Sequence, residues 1–206
     1  MPEPGDLTPL LAVLSDLVAW FTAEKVPGAV IGGVAASILG RPRLTRGVDA
    51  LVLLQERRWP KFLRTGENYG FVPRGAEALA FARETRVLLL CHQKSGINAD
   101  IVLGSLPFER EVVARATWVD LGGVVIPLPL PEDLIIMKAV AHRPRDLEDI
   151  QAVLAAHPKL NLRRVRHWVG EFAAALDMPG LQADLEALLA QRRQRQKSRQ
   201  GKRGES

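Results

Sequence analysis

IGGVAASILGRPRLTRGVDALVLL, residues 31–54, reads as the end of a strand, paired glycines, a helix and a second strand. The run AVIGG at 29–33 is short and β-branched, as a buried strand should be. VAASILG at 34–40 is helical in composition, with Gly40 as its stop. RPRLTRG at 41–47 is a polar connection, and VDALVLL at 48–54 is the next strand, whose one charge is Asp49. An acid on an otherwise apolar strand costs desolvation unless it has a task or a partner.

The flanks extend this α/β pattern. Before it, Leu10, Leu11, Leu14, Leu17, Val18 and Phe21 recur at three-and-four spacing and predict an amphipathic helix over 7–24. After it come a short helix at 57–63, a turn before Phe71, and a stretch to Ala82 whose periodicity settles nothing. RVLLLCHQKSGINADIVLG at 86–104 predicts a hairpin turning through QKSG, with Asp100 inside its second strand. A brief helix at 108–116 and a hairpin-like element at 118–130 follow. From residue 131 the chain reads as helices: PEDLIIMKAVAHR, DLEDIQAVLAAH, NLRRVRHWVGEFAAALD and a last one through residue 190. The expected fold is a mixed β-sheet flanked by helices, with a helical C-terminal part.

Composition narrows the class. The chain has 206 residues, 47% hydrophobic and 25% charged, enough for one substantial core. A single cysteine, Cys91, excludes an intrachain disulfide framework and a Cys-rich zinc site, and suits the cytoplasm. The longest apolar run, 28–40, is too short and glycine-rich to span a bilayer, so no membrane partner is expected. The net charge of +5 is local: residues 191–206 hold seven of the 28 basic residues and one of the 23 acids, leaving 21 against 22 in the first 190. Such a tail is expected to be disordered and able to meet RNA phosphates.

Side chains alternate along a strand, so 47, 49 and 51 share one face and 48, 50 and 52 the other. Asp49 can therefore meet Asp100 only if their strands are neighbours. Gly32 and Gly33 leave the backbone open at a helix start, where N–H groups and the helix dipole favour phosphate. Ser37 lies one turn further on, and Arg43 and Arg46 stand on the following connection. Lys138 sits in the apolar helix LIIMKAV, either reaching a phosphate or snorkelling to water. Asp146 reads as an N-cap with Asp149 in the capping-box position.

The string at 31–54 resembles the signature of the minimal nucleotidyltransferases, the superfamily of kanamycin nucleotidyltransferase and of AbiEii/AbiGii-type toxins. NADIVLGSLPFEREVVARA at 98–116 resembles the segment carrying the third carboxylate, and PEDLIIMKAVAHRPRDLEDIQAVL at 131–154 the downstream helix pair. The resemblance implies a nucleotidyltransferase-like domain over 1–155, a helical segment over 156–190 and the basic tail at 191–206. It implies transfer of NMP from an NTP to a hydroxyl of RNA, protein or a small molecule, with Mg²⁺ or Mn²⁺, and in some relatives an antitoxin partner. Asp49 and Asp100 would hold metal and act in catalysis, while Gly32, Gly33, Ser37, Arg46, Lys138 and Asp146 would bind nucleotide. Aligned on Thr45-Arg46, the first acid of the family's Asp-x-Asp pair falls on Gly47. The alternative is a module of the same fold that binds nucleotide or RNA without transfer.

Overall fold

A computed structural model describes residues 7–45 and 47–203, with side chains as far as residue 195. They fall into two units. The first runs through Ser37 and resumes from Arg43 to Leu130; the second takes Ile38–Pro42 and the chain from Pro131 onward.

In the first unit, helix α1 (Thr8–Ala23) leads into strand β1 (Gly28–Ile31), helix α2 (Gly32–Leu39) and strand β2 (Gly47–Val52). Helix α3 (Trp59–Gly66), strand β3 (Phe71–Pro73), helix α4 (Ala78–Thr85) and strands β4 (Val87–His92) and β5 (Ile97–Leu103) follow. Helix α5 (Pro107–Ala114) and the hairpin β6 (Thr117–Asp120) and β7 (Val125–Leu128) complete it. The five-stranded sheet has the order β1-β2-β5-β4-β3. Its β2–β5 pair is parallel and the other pairs are antiparallel, the mixed sheet that the sequence predicts. The 71–82 stretch resolves into the edge strand β3 and α4, both too short for periodicity to reveal.

Alternation along the strands makes one face closed and the other half-open. Val48, Ala50 and Val52 of β2, Ala99, Ile101 and Leu103 of β5, and Leu88, Leu90 and His92 of β4 are buried together. Trp20 of α1 stacks on Phe62 at 4.1 Å and on Phe71 at 5.4 Å between ring centroids. Its indole N–H donates to Thr65 Oγ1 at 3.2 Å, so the ring's polar edge is satisfied inside the core. The opposite face carries Asp49 and Asp100, both half-buried.

The second unit consists of α6 (Pro131–Ala141), α7 (Pro144–Ala156), α8 (Leu162–Ala175) and α9 (Gly180–Arg203). The division at residue 131 puts α6 and α7 with the later helices, whereas the sequence pattern suggested a boundary at 155. The tail expected to be disordered continues α9 as helix through Arg203. Gln, Arg and Lys are good helix formers, and extending an existing helix needs no new nucleus and no buried face. Residues 204–206 lie outside the described residues. Among the described residues no helix is long and apolar enough to cross a membrane.

Candidate active site

Asp49 of β2 stands directly opposite Asp100 of β5 in the parallel register, and Ile31, the last residue of β1, opposes Asp49 from the other side. The two carboxylates thus share one row of the half-open face. Gly32 starts α2 immediately after Ile31, and its φ of +63° is one that side-chain-bearing residues rarely adopt. A Cβ there would also collide with the Asp49 carboxylate. The glycine is therefore needed to admit Asp49, a use different from the expected approach of phosphate to its backbone. Asp49 Oδ2 accepts the Gly33 N–H at 3.4 Å, a long contact at a helix start where donors lack intrahelical partners.

A cradle adjoins the pair. A Cβ on Gly33 would lie 3.1 Å from Thr45 Cγ2 and 3.5 Å from an Arg43 guanidinium nitrogen, so Arg43 and Thr45 fold over the glycine. Among the described residues, buried Thr45 Oγ1 has no hydrogen-bond partner. An orphaned buried hydroxyl is costly, and beside a glycine-lined helix start it fits an acceptor such as a phosphate oxygen. Ser37 is engaged otherwise: its hydroxyl donates to the Arg43 carbonyl at 3.2 Å and accepts the Arg43 N–H at 3.1 Å, pinning the connection. Arg46, expected to bind phosphate, lies outside the described residues.

Arg74 enters from a segment in which sequence reading found no site. Its backbone N–H donates to Leu89 O at 3.0 Å, Leu89 opposes Asp100, and the guanidinium crosses that strand to bond Asp100 Oδ1. Burial pushes the Asp100 carboxyl above its ordinary range; Arg74 pulls it down, the Asp49 charge pushes it up, and the net is upward.

Lys138 and Asp146 belong to a cluster of their own in the helical unit. Lys138 Nζ donates to Asp146 Oδ1 at 2.7 Å and pairs with Asp149 Oδ2 at 2.8 Å, all three residues being buried. Asp146 is at the third position of α7 rather than its N-cap. The cap is Arg143, whose backbone N–H and Nε donate to Asp146 Oδ2 at 3.2 and 2.6 Å. Burial alone would raise the Asp146 carboxyl, but bonds from Arg143 and Lys138 outweigh it and hold it below the usual range. The basic stretch of α8 spends Arg164 on buried Asp133 at 2.7 Å and Arg166 on Glu186 at 2.5 Å.

No protein-family model matches the chain, and no curated protein sequence matches it. Solved structures do match. The solution structure of the antibiotic-resistance factor ANT(2'')-Ia aligns over 82% of this chain and 94% of its own, with a TM-score of 0.57 at 13% identity. The chain has the nucleotidyltransferase fold. The crystal structure of ANT(2'')-Ia in complex with adenylyl-2''-tobramycin matches that fold over 81% of this chain and 98% of its own, with a TM-score of 0.53 at 15% identity. An antigenic nucleotidyltransferase-like protein from Paracoccidioides brasiliensis does so over 86% and 92%, with a TM-score of 0.53 at 16% identity. On this nucleotidyltransferase fold, Gly47 occupies the half-open face two residues before Asp49 and opposite Asn98. Among the described residues no group of three potential metal ligands converges. Two adjacent carboxylates fit one hard cation that takes its remaining ligands from water and phosphate, as Mg²⁺ does, and fall short of the set that two cations would need.

Proposed function

We propose that this chain binds a nucleoside triphosphate with one divalent cation at the Asp49–Asp100 pair and transfers its nucleotidyl group to a hydroxyl acceptor. The observation that carries the reading is the direct register pairing of Asp49 with Asp100 beside the start of α2. Mg²⁺ or Mn²⁺ held by these two carboxylates would supply charge neutralisation on the triphosphate and acidify the acceptor hydroxyl. The chain's own groups do the rest. Thr45 Oγ1, the Gly33 backbone and the Arg43 guanidinium orient phosphate oxygens. The acceptor oxygen attacks the α-phosphorus in line, the bond to the β-bridging oxygen breaks, and pyrophosphate leaves with the displaced electron pair. The acceptor proton passes to one carboxylate of the Asp49–Asp100 pair. The acceptor is a hydroxyl of RNA, protein or a small molecule; ANT(2'')-Ia, crystallised with adenylyl-2''-tobramycin, supports the last of these as precedent on the same fold.

Gly47 favours a second reading, in which the fold binds the nucleotide without transferring it. Label transfer from each α-labelled NTP, with Mg²⁺ or Mn²⁺, onto total RNA, total protein and small-molecule extracts separates the two. Transfer by the wild type that Asp49→Asn abolishes supports the enzyme. Silence from the wild type with activity in Gly47→Asp supports a site lacking only that acid, although the new Cβ must settle 3.1 Å from the Asn98 carbonyl oxygen. Silence from both, with intact NTP binding, supports the binding module.

A further inference from the structure

We infer that Arg74 is the resident cation of the acid pair and a triphosphate-binding residue, exchanging Asp100 for phosphate oxygens when nucleotide and divalent cation arrive; this rests on the reading of Asp49 and Asp100 given above. Four residues define one row across the half-open face: Asp49 opposes Asp100, Asp100 opposes Leu89, and the Arg74 N–H bonds Leu89 O. Arg74 is thus fixed by its backbone at the end of β3, three strands from Asp49 and two from Asp100, with its guanidinium lying over β4, the strand between it and Asp100. Two carboxylates side by side repel, and burial raises the cost of keeping Asp100 charged. The guanidinium bonded to Asp100 relieves both effects.

The bond is not a sealed one. The Arg74 and Asp100 side chains are 31% and 39% exposed, so water and solutes reach the pair and its partners can exchange. A guanidinium fork matches phosphate as well as it matches carboxylate. A divalent cation competes with the Arg74 guanidinium for the Asp100 carboxylate, and a guanidinium displaced from it is a backbone-anchored donor beside the incoming triphosphate. The charge balance agrees with this assignment. With Gly47 in place of an acid, Asp49, Asp100 and Arg74 carry a net charge of about −1, too little to hold two divalent cations without phosphate.

Partner exchange has a signature that a merely structural ion pair lacks: loss of Arg74 moves two affinities in opposite directions. The experiment titrates Mn²⁺ into the nucleotide-free protein by electron paramagnetic resonance. It then titrates each of the four NTPs in saturating Mn²⁺ by calorimetry, on wild type, Arg74→Ala, Arg74→Lys and Asp49→Asn, with circular dichroism confirming the fold of each. Arg74→Ala is expected to bind Mn²⁺ roughly threefold or more tightly and the preferred NTP roughly tenfold more weakly. Arg74→Lys restores the competition with Mn²⁺ but only part of the NTP affinity, because an ammonium lacks the fork. Mn²⁺ affinity unchanged or weakened in Arg74→Ala, or NTP affinity within about twofold of wild type, overturns the inference while leaving the acid pair intact. Mn²⁺ and NTP binding equal in wild type and Asp49→Asn instead overturns the acid-pair reading itself.

Discussion

Two clusters in this chain each set a pair of aspartates against basic side chains, and they differ in burial. Asp146, Asp149 and Lys138 are buried in the helical unit, where one ammonium bonds both carboxylates and Arg143 adds a second cation to Asp146. Asp49, Asp100 and Arg74 lie on the half-open face of the sheet, with the base on one acid only. In a dry interior a charge without its partner is expensive, so the first cluster has little freedom and holds helices together. At a half-exposed position water moderates that cost, so the second cluster can trade partners. Lys138 and Asp146, which the family resemblance presents as nucleotide ligands, have their hydrogen bonds committed within the helical unit.

The largest effect expected from this contrast is on Lys138. Lys138→Met leaves Asp146 and Asp149 buried without their ammonium and should cost about 3–5 kcal/mol in denaturant unfolding. Asp49→Asn should change stability by less than about 1 kcal/mol, since the amide oxygen still accepts the Gly33 N–H and the repulsion with Asp100 disappears. A Lys138 variant as stable as wild type would break the comparison.

Gly32→Ala comes next. It forces a side chain into φ +63° and against the Asp49 carboxylate, at a cost of about 1–3 kcal/mol, and should also weaken NTP binding in the presence of Mg²⁺. Calorimetric titration alongside thermal unfolding checks both; unchanged nucleotide affinity would show that Asp49 need not keep its place.

Acid sharpens the contrast with a smaller effect of opposite sign. Asp146 has a folded-state pKa below its unfolded one, so it adds stability above the unfolded value, about 3.9, that is lost as pH falls through the folded value. Asp100 has a raised folded-state pKa, so its ionisation subtracts stability above that raised value and the penalty disappears as pH falls. In melting curves from pH 7 down to 3, Asp146→Asn should flatten the acid limb relative to wild type. Asp100→Asn should steepen it, because a stabilising proton uptake has been removed. The same direction for both variants would refute the assignment of the two environments.

Much of the site was legible because strand periodicity is a local property. One charge in VDALVLL and one in NADIVLG singled out Asp49 and Asp100 before any register was known, and the structure puts both among buried strand neighbours. Arg74 was not legible. It follows a three-residue edge strand with too few positions to show a period, and nothing in PRGAEA announces a reach over Leu89. Thr45 served only to align a motif, and its orphaned hydroxyl is visible only once the connection has folded over Gly33.

The amino-acid sequence by itself determined the element order outside residues 71–82 and the alternation that gives the sheet two unlike faces, because each depends on neighbours a few residues apart. Only the tertiary structure decided which acids meet which bases. The β2–β5 register sets Asp49 against Asp100, β3 brings Arg74 across, and the helical unit closes Lys138 between Asp146 and Asp149. Those pairings depend on register and burial. Burial sets the energetic penalty for leaving a charge alone, and so separates a fixed structural cluster from one whose partners can change.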